Sequence, residues 1–168
     1  MGRREGMSAP VAGAIAVGTV VGAALIGGRS SPTPDHPRTR RWYRSLEKPG
    51  FTPPPPAYAA AWTGIQAGLA WGGYRLLRRP PSPARTRALT VWGVNQAAIA
   101  SWSAVFFGQR APGAGTLAAA AMVVTAGGYV LAAAEEDGKA AAAGVPLVGW
   151  LAFATLLAEE VWRRNEPA

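Results

Sequence analysis

The sequence predicts an all-α protein that lies in a membrane as a bundle of five transmembrane helices. Five stretches are each long enough to cross a hydrocarbon core about 30 Å thick, which needs about 20 residues of helix. Lysines and arginines are grouped between these stretches, as in loops that connect membrane spans. Proline-rich and charged segments separate the stretches, and such segments end a helix or draw it into water.

The predicted spans cover most of the chain, which we interpret as a single domain over residues 1–168. In the first span, Ala14, Gly18 and Gly22 repeat at a spacing of four that allows close helix packing. A cleaved leader is the alternative, because Arg3 and Arg4 give a basic start. The fourth span is the weakest, since alanine is only weakly lipophilic. The spans are predicted at about 9–28, 57–77, 88–107, 113–134 and 144–162, with a lid loop at about 29–56.

Charge and composition exclude several classes of function. The formal net charge is +8, but the arginines lie in the connectors, which argues against nucleic acid as a partner. The chain has no cysteine, hence no thiolate nucleophile, disulfide or cysteine-based zinc site. His36 is the only histidine, and in a proline-rich loop a solvated side chain is favoured over a haem ligand. We therefore expect no metal site and no conventional hydrolase.

The first connector has an unusual composition for a plain loop. It packs aromatic side chains, a cation and prolines together between Trp42 and Pro54. Prolines lower the entropy of the free loop, and Trp and Tyr suit a membrane interface. We expect a preorganised lid, with a simple interfacial anchor as the alternative. The lid residues expected to contact a ligand are Trp42, Tyr43, Pro49, Phe51 and Pro53.

This stretch resembles the W-Y-x-x-L-x-K-P-x-[WF]-x-P-P motif of the TspO family, also called tryptophan-rich sensory or peripheral benzodiazepine receptor-like proteins. The likeness continues with Trp62 after the prolines, with Trp102–Gly108, similar to the family's W-S-x-x-F-F-G, and with Pro146–Asn165, similar to its last helix. The resemblance implies a tryptophan-lined pocket for a flat hydrophobic ligand. A porphyrin, either protoporphyrin IX or haem, is the expected ligand, and no cofactor is required.

The chain departs from the family pattern at several pocket positions. Gln66 stands where the family has an aromatic residue, and Asn95 where it has glutamine. Ile99 and Ala158 stand where it has asparagine, and Leu147 where it has tyrosine. The family's ligand preference therefore does not transfer directly.

Helical spacing places the expected pocket residues on three faces, one on each of three spans. Aromatic walls with few polar groups suit a flat apolar ligand, because ring stacking adds about 0.5–1.5 kcal/mol beyond area burial. Helix packing or an interfacial belt is the alternative for each tryptophan. The expected wall residues are Trp62 and Gln66 on the second span, Asn95, Ile99, Trp102 and Phe106 on the third, and Trp150, Ala154 and Leu157 on the fifth.

Two further features bear on partners. Glu159 and Glu160 suggest a proton relay, although a position at the interface beside arginines is favoured. Animal relatives have a sterol-recognition pattern that needs a tyrosine where these glutamates stand, which argues against sterol binding at this position. A small-residue ridge of Ala100, Ala104 and Gly108, together with the resemblance, predicts a homodimer.

Three functions remain open at this point. The resemblance implies a membrane protein that binds tetrapyrroles or similar hydrophobic molecules for transport, sensing or regulation. The first alternative is light- or oxygen-dependent degradation of protoporphyrin IX, with Trp62 and Trp150 as candidate catalytic residues. The second is a membrane interaction protein without a small ligand. The abundance of Ala, Arg, Gly and Pro without a transit-like leader suggests a bacterial inner membrane.

Overall fold

The computed structural model describes residues 5–166. Every regular secondary-structure element in that range is a helix, which confirms the all-α prediction. Residues 5–166 form six α-helices, and a π-helix extends the fourth. Arg3 and Arg4 lie outside the described residues. The bounds are α1 Ala9–Gly28, α2 Pro37–Ser45, α3 Pro55–Arg78, α4 Pro83–Ser103, the π-helix Ala104–Gly108, α5 Pro112–Ala134 and α6 Gly138–Asn165.

Three of the five predicted spans are confirmed by length and composition. Within the described residues, α1, α5 and α6 are long and apolar enough to cross a membrane. The fourth predicted span, the weakest on sequence grounds, is α5 and is one of these three. The second and third predicted spans form the long helices α3 and α4. These two are more polar, because they carry arginines at adjoining ends and amides within.

The predicted lid loop at 29–56 is not a loop throughout, because it contains α2. Pro37 occupies the first turn of this helix, where the fixed φ of proline suits a helix and its missing N–H costs no hydrogen bond. The eleven residues between Pro37 and Pro49 include no proline, so the backbone there is free to form helical hydrogen bonds. The prolines on both sides of this short helix made the whole segment resemble a loop in the sequence.

Two long helices begin earlier than predicted, because side chains cap their first turns. The Ser82 hydroxyl accepts a hydrogen bond from the backbone N–H of Arg85 at 3.0 Å, so α4 begins at Pro83. The Asp137 carboxylate accepts from the N–H groups of Lys139 and Ala140, each at 3.0 Å, so α6 begins at Gly138. Such caps satisfy helix donors that otherwise have no partner.

The third predicted span ends in the π-helix. The N–H of Gln109 donates to the carbonyl of Ala104 at 2.8 Å, and this wider turn accommodates an extra residue. Phe106 and Phe107 consequently both turn toward one aromatic cluster, with ring centroids 4.9 Å apart. Arg110 follows in the left-handed region, with φ 54°, and leads the chain into α5.

The five long helices form a ring in which α1 packs against α3 and α4, α3 against α6, α6 against α5, and α5 against α4. The position of α1 in this ring favours a span over a leader. Glycine allows the closest approach: a Cβ at Gly144 would lie 2.5 Å from the ring of Tyr129. The Tyr129 hydroxyl donates to the carbonyl of Ala140 at 3.1 Å. Interlocking of this kind fixes α5 on α6.

Large apolar side chains face outward around the ring. Leu25, Leu117, Val124 and Leu131 are 67%, 70%, 75% and 72% exposed, respectively. Large apolar side chains that are this exposed suit lipid rather than water. The outward face of the bundle is therefore built for a bilayer.

A tryptophan locks α3 to α4, and this contact is testable. The Trp92 indole N–H donates to the carbonyl of Leu69 at 2.9 Å, and a Cβ at Gly73 would lie 2.6 Å from the same ring. We expect Gly73→Ala to destabilise the fold by about 1–3 kcal/mol, because the tethered ring has no free space to move into. Gly93→Ala on α4 meets open space and is the control. Thermal unfolding in detergent compares the two, and equal stabilities would contradict the proposed lock.

Candidate functional site

A cavity of about 680 Å³ lies between the first half of α3 and the middle of α6. The space is wide open to the outside, so it is a groove rather than an enclosed pocket. Gly64 and Gly149 meet nothing within 4 Å where a Cβ would stand, so the two helices leave a groove on the outer side of the ring. We call it the α3–α6 groove. It is lined by Pro53, Ala60, Ala61, Gly64, Ile65, Pro146, Gly149, Trp150 and Phe153.

Trp150 is the centre of an aromatic wall beside this groove. Its ring centroid lies 5.8 Å from that of Tyr58, 6.3 Å from that of Trp62 and 5.6 Å from that of Phe153. Phe51 meets Phe153 edge to face at 6.3 Å. These separations are typical of favourable aromatic pairs. The five rings join the connector after α2 to both helices of the groove.

The structure brings several sequence-predicted residues together here, namely Phe51, Pro53, Trp62 and Trp150. Tyr58 and Phe153 belong to the same group, and sequence reasoning missed them. The signal was present, because Tyr58 stands four residues before Trp62 and Phe153 three residues after Trp150. Side chains at these helical spacings share a face.

A second aromatic cluster occupies the end of the bundle beneath α2. Trp102 stacks on Phe106 at 5.0 Å, and Trp42 meets Phe106 at 6.3 Å. Tyr43 meets the edge of Phe107 at 5.2 Å. Ala158 and Val161 of α6 belong to the same packed group. The predicted lid residues Trp42 and Tyr43 therefore pack on the π-helix and do not line the α3–α6 groove.

Other predicted wall residues serve helix packing. Asn95 is fully buried, donates to the carbonyl of Thr125 and accepts from its hydroxyl, each at 3.0 Å. Ile99 and Leu157 are 8% and 7% exposed, and Ala154 is half-buried. None of these four residues lines the groove. The three predicted faces thus do not enclose one open cavity.

Part of the small-residue ridge that predicts a dimer contacts other segments of the same chain. A Cβ at Gly27 of α1 would lie 3.4 Å from the carbonyl of Ile99 and 3.6 Å from that of Ala100. A Cβ at Gly108 would lie 3.4 Å from the Ser30 hydroxyl. The close approach that small residues permit here is made by α1 and the segment that follows it.

Buried polar atoms without a hydrogen-bond partner mark the interior. Among residues 5–166 they are the Tyr58 hydroxyl, the Gln66 Oε1 atom and both amide atoms of Gln96. An unsatisfied buried polar group costs about 1–3 kcal/mol, so it calls for water or a ligand. The Tyr58 hydroxyl lies near the phenol of Tyr43. Sequence reasoning did not single out Gln96, although it follows Trp92 by one helical turn.

The connector is fastened to the end of α6 by directional hydrogen bonds. The Asn165 amide accepts from the N–H of Glu47 and donates to its carbonyl, both at 2.9 Å. Arg164 pairs with the Glu47 carboxylate at 3.2 Å. Lys48 donates to the carbonyl of Leu46 at 2.8 Å, and burial lowers the pKa of its ammonium.

These fixed points hold Pro49, the remaining predicted lid residue, in a buried position beside α2. At the same end, Glu160 pairs with Arg163 and Arg164, as the interfacial interpretation of that carboxylate predicts. The connector therefore has a defined position over the end of the bundle.

Most of the sequence matches one known family. A profile of the TspO/MBR family matches residues 14–163, a range that includes α2, the π-helix and both walls of the groove. The chain belongs to the TspO/MBR family. The resemblance found from the lid motif is thus confirmed. Family membership and the apolar helices together make this TspO/MBR chain an integral membrane protein.

Curated relatives carry the same family's names. The translocator protein of Ovis aries is 28% identical over 129 residues, which cover 75% of this chain and 76% of the relative. The human translocator protein is 26% identical over 133 residues, covering 77% and 78%. The tryptophan-rich protein TspO of Archaeoglobus fulgidus is 30% identical over 131 residues, covering 74% and 80%. The likeness extends over most of each TspO/MBR protein compared.

Proposed function

We infer that this TspO/MBR protein binds a flat hydrophobic ligand, such as a porphyrin, in the α3–α6 groove. The observation that carries this proposal is the cavity of about 680 Å³ with Trp150 and Phe153 in its wall. Rings at these positions offer stacking surfaces, and each stacked pair contributes about 0.5–1.5 kcal/mol beyond area burial. Binding of tetrapyrroles or similar molecules would serve transport, in keeping with the name of the translocator proteins, or it would serve sensing or regulation.

The proposal includes a bundle in which all five long helices span the bilayer. The α3 residues from Pro55 to Tyr74 carry no charge, and neither do Ala88–Gly108 of α4 and the π-helix. Each stretch is about 20 residues long, enough to cross the hydrocarbon. Trp71 and Val94 face outward at 50% and 48% exposure, as lipid-facing residues would.

The outward opening of the groove suggests how an apolar ligand arrives. Ala60, Gly64, Pro146 and Gly149 line the groove and are exposed on the bundle's outer side. In a bilayer this side faces the acyl chains, so a ligand dissolved in the membrane would enter laterally without crossing water.

Titration of the detergent-purified protein with protoporphyrin IX in the dark tests the proposal. We expect saturable quenching of tryptophan fluorescence, because Trp62 and Trp150 lie at the proposed site. Trp150→Ala should weaken binding about tenfold or more, through loss of the central ring and its packing. Trp71→Ala is the control, because Trp71 is half-exposed and lies outside the groove.

Two other outcomes would change the interpretation. An absence of saturable quenching would contradict porphyrin binding and favour an interaction protein without a small ligand. Loss of porphyrin absorbance under illumination, abolished by Trp62→Phe or Trp150→Phe, would add the degradative activity. Stable absorbance in the wild-type protein would exclude that activity under the conditions used.

A further inference from the structure

The short helix α2 carries a charged face that the rest of the chain leaves without a partner. Arg38, Arg41 and Arg44 are exposed and recur every three residues, so they form one stripe along the helix. Within residues 5–166 none of the three forms a salt bridge. We call these residues the arginine stripe.

The opposite face of α2 holds the helix on the bundle. Trp42 and Tyr43 pack on the phenylalanines of the π-helix, which fixes the arginine stripe on the side turned away from the protein. α2 has no buried residue, and a helix this short is marginal in isolation. The protein's own contacts thus hold one face of α2 and leave the other available to a second partner.

The charge around α2 is strongly positive. Between Arg29 and Lys48 the chain has six Lys and Arg residues and two acidic residues. Glu47, one of the two acids, is already paired with Arg164. Arg29 and Arg110 at the neighbouring helix ends are exposed and form no salt bridge in the described part of the chain. A partner that binds this surface is therefore expected to be negatively charged.

We propose that the arginine stripe binds the headgroups of anionic phospholipids and thereby holds α2 on the membrane surface. α2 lies where α1 ends and α3 begins, at the level at which a membrane-spanning bundle reaches the headgroup region. Basic residues on an amphipathic helix at that level gain about 1 kcal/mol each from an anionic leaflet. Guanidinium groups pair with phosphate through two parallel hydrogen bonds. This inference concerns α2 alone and does not depend on ligand binding in the groove.

Amide hydrogen exchange of residues 37–45 tests the proposal in lipid nanodiscs. We expect exchange to be about tenfold or more slower in discs containing phosphatidylglycerol than in phosphatidylcholine discs, since three arginines act together. The variant Arg38→Gln/Arg41→Gln/Arg44→Gln should lose this difference, and the corresponding triple Arg→Lys variant should keep most of it. Unchanged exchange in α6 would show that the bundle remains folded.

A charge-matched control is available at the other end of the bundle. Arg78→Gln/Lys139→Gln/Arg87→Gln removes the same charge there and should leave exchange in α2 unchanged. Equal exchange in the two lipids, or lipid-dependent slowing that survives the triple Arg→Gln change, would overturn the proposal. Equal slowing in phosphatidylcholine discs by inorganic phosphate, or by protoporphyrin IX, would also overturn it, by assigning the stripe to a free anion or to a ligand carboxylate.

Discussion

Gly64→Leu/Gly149→Leu should lower the affinity for protoporphyrin IX by well over tenfold while leaving the fold intact. Both glycines line the α3–α6 groove, and a Cβ at either position meets open space. A leucine side chain would therefore extend into the volume proposed for the ligand without displacing a neighbour. A tenfold loss of affinity corresponds to about 1.4 kcal/mol of binding free energy. A ligand that loses its contact with one well-packed aromatic ring would lose more than that.

The matched control places the same residues on another outward face. Gly13→Leu/Gly18→Leu on α1 also meets open space, but it is remote from the groove. Leucine has a higher helix propensity than glycine, so thermal stability should be equal to or higher than wild type in both double variants. Unchanged porphyrin affinity in the Gly64/Gly149 variant would exclude the groove. The interior beside the Gln66 Oε1 atom and the Gln96 amide, which lack hydrogen-bond partners among the described residues, would then be the next region to test.

The elements that could be predicted from the sequence are those that depend on local signals. α1 was predicted at its observed bounds, because an uncharged run is bounded by Pro10 and Arg29. α2 was missed, because a helix of nine residues surrounded by prolines has no periodic pattern long enough to read. The starts of α4 and α6 were placed late. Ser82 and Asp137 can be recognised as N-caps only if the charged residues that follow them are assigned to the helices.

The candidate site divides in the same way. Trp62 and Trp150 meet as predicted. Helical spacing and the family resemblance both place these two residues on facing sides of their helices. The sequence predicts Asn95 as a pocket residue, and in the structure its amide pairs with Thr125 of α5. No rule of spacing distinguishes a polar group that faces a ligand from one that faces a neighbouring helix. Which of the two a polar group faces depends on the order of the helices around the bundle, and long-range packing determines that order.

The π-helix shows a different limit. W-S-x-x-F-F-G was recognisable as a motif, but its spacing was interpreted as that of an α-helix. The extra residue in the π-turn brings both Phe106 and Phe107 into contact with Trp102, which consecutive residues of an α-helix would do less readily. This cluster supports Trp42 and Tyr43 of α2. A local irregularity in α4 thus determines where the connector rests.

Asp137→Ala should cause the largest loss of stability at the opposite end of the bundle, about 2–4 kcal/mol. The carboxylate accepts two hydrogen bonds from the Arg75 guanidinium, at 2.9 and 2.8 Å, and caps the first turn of α6. Its side chain is 4% exposed and that of Arg75 is 27% exposed. Removing one partner of a partly buried, hydrogen-bonded ion pair costs about 1–3 kcal/mol, and loss of an N-cap adds about 1 kcal/mol.

Variants separate these contributions. Asp137→Asn keeps an oxygen for the cap but loses the charge, so it should fall between wild type and Asp137→Ala. Glu135→Ala is the control, because the Arg87–Glu135 pair is exposed on both sides and such pairs contribute about 0–1 kcal/mol. Chemical or thermal unfolding in detergent gives the ranking. Equal stabilities of Asp137→Ala and Glu135→Ala would refute a structural role for the Arg75–Asp137 pair.

The pH dependence of stability gives an independent test of the same pair. Hydrogen bonding to Arg75 holds the pKa of the Asp137 carboxyl below its usual range, with further lowering by the helix N–H groups. The stabilisation is therefore complete above the unfolded pKa of about 4 and is lost as the pH falls through the folded pKa. Between pH 5 and pH 2 wild type should lose more stability than Asp137→Asn. Parallel losses in the two proteins would mean that protonation of other carboxylates, not of Asp137, controls acid unfolding.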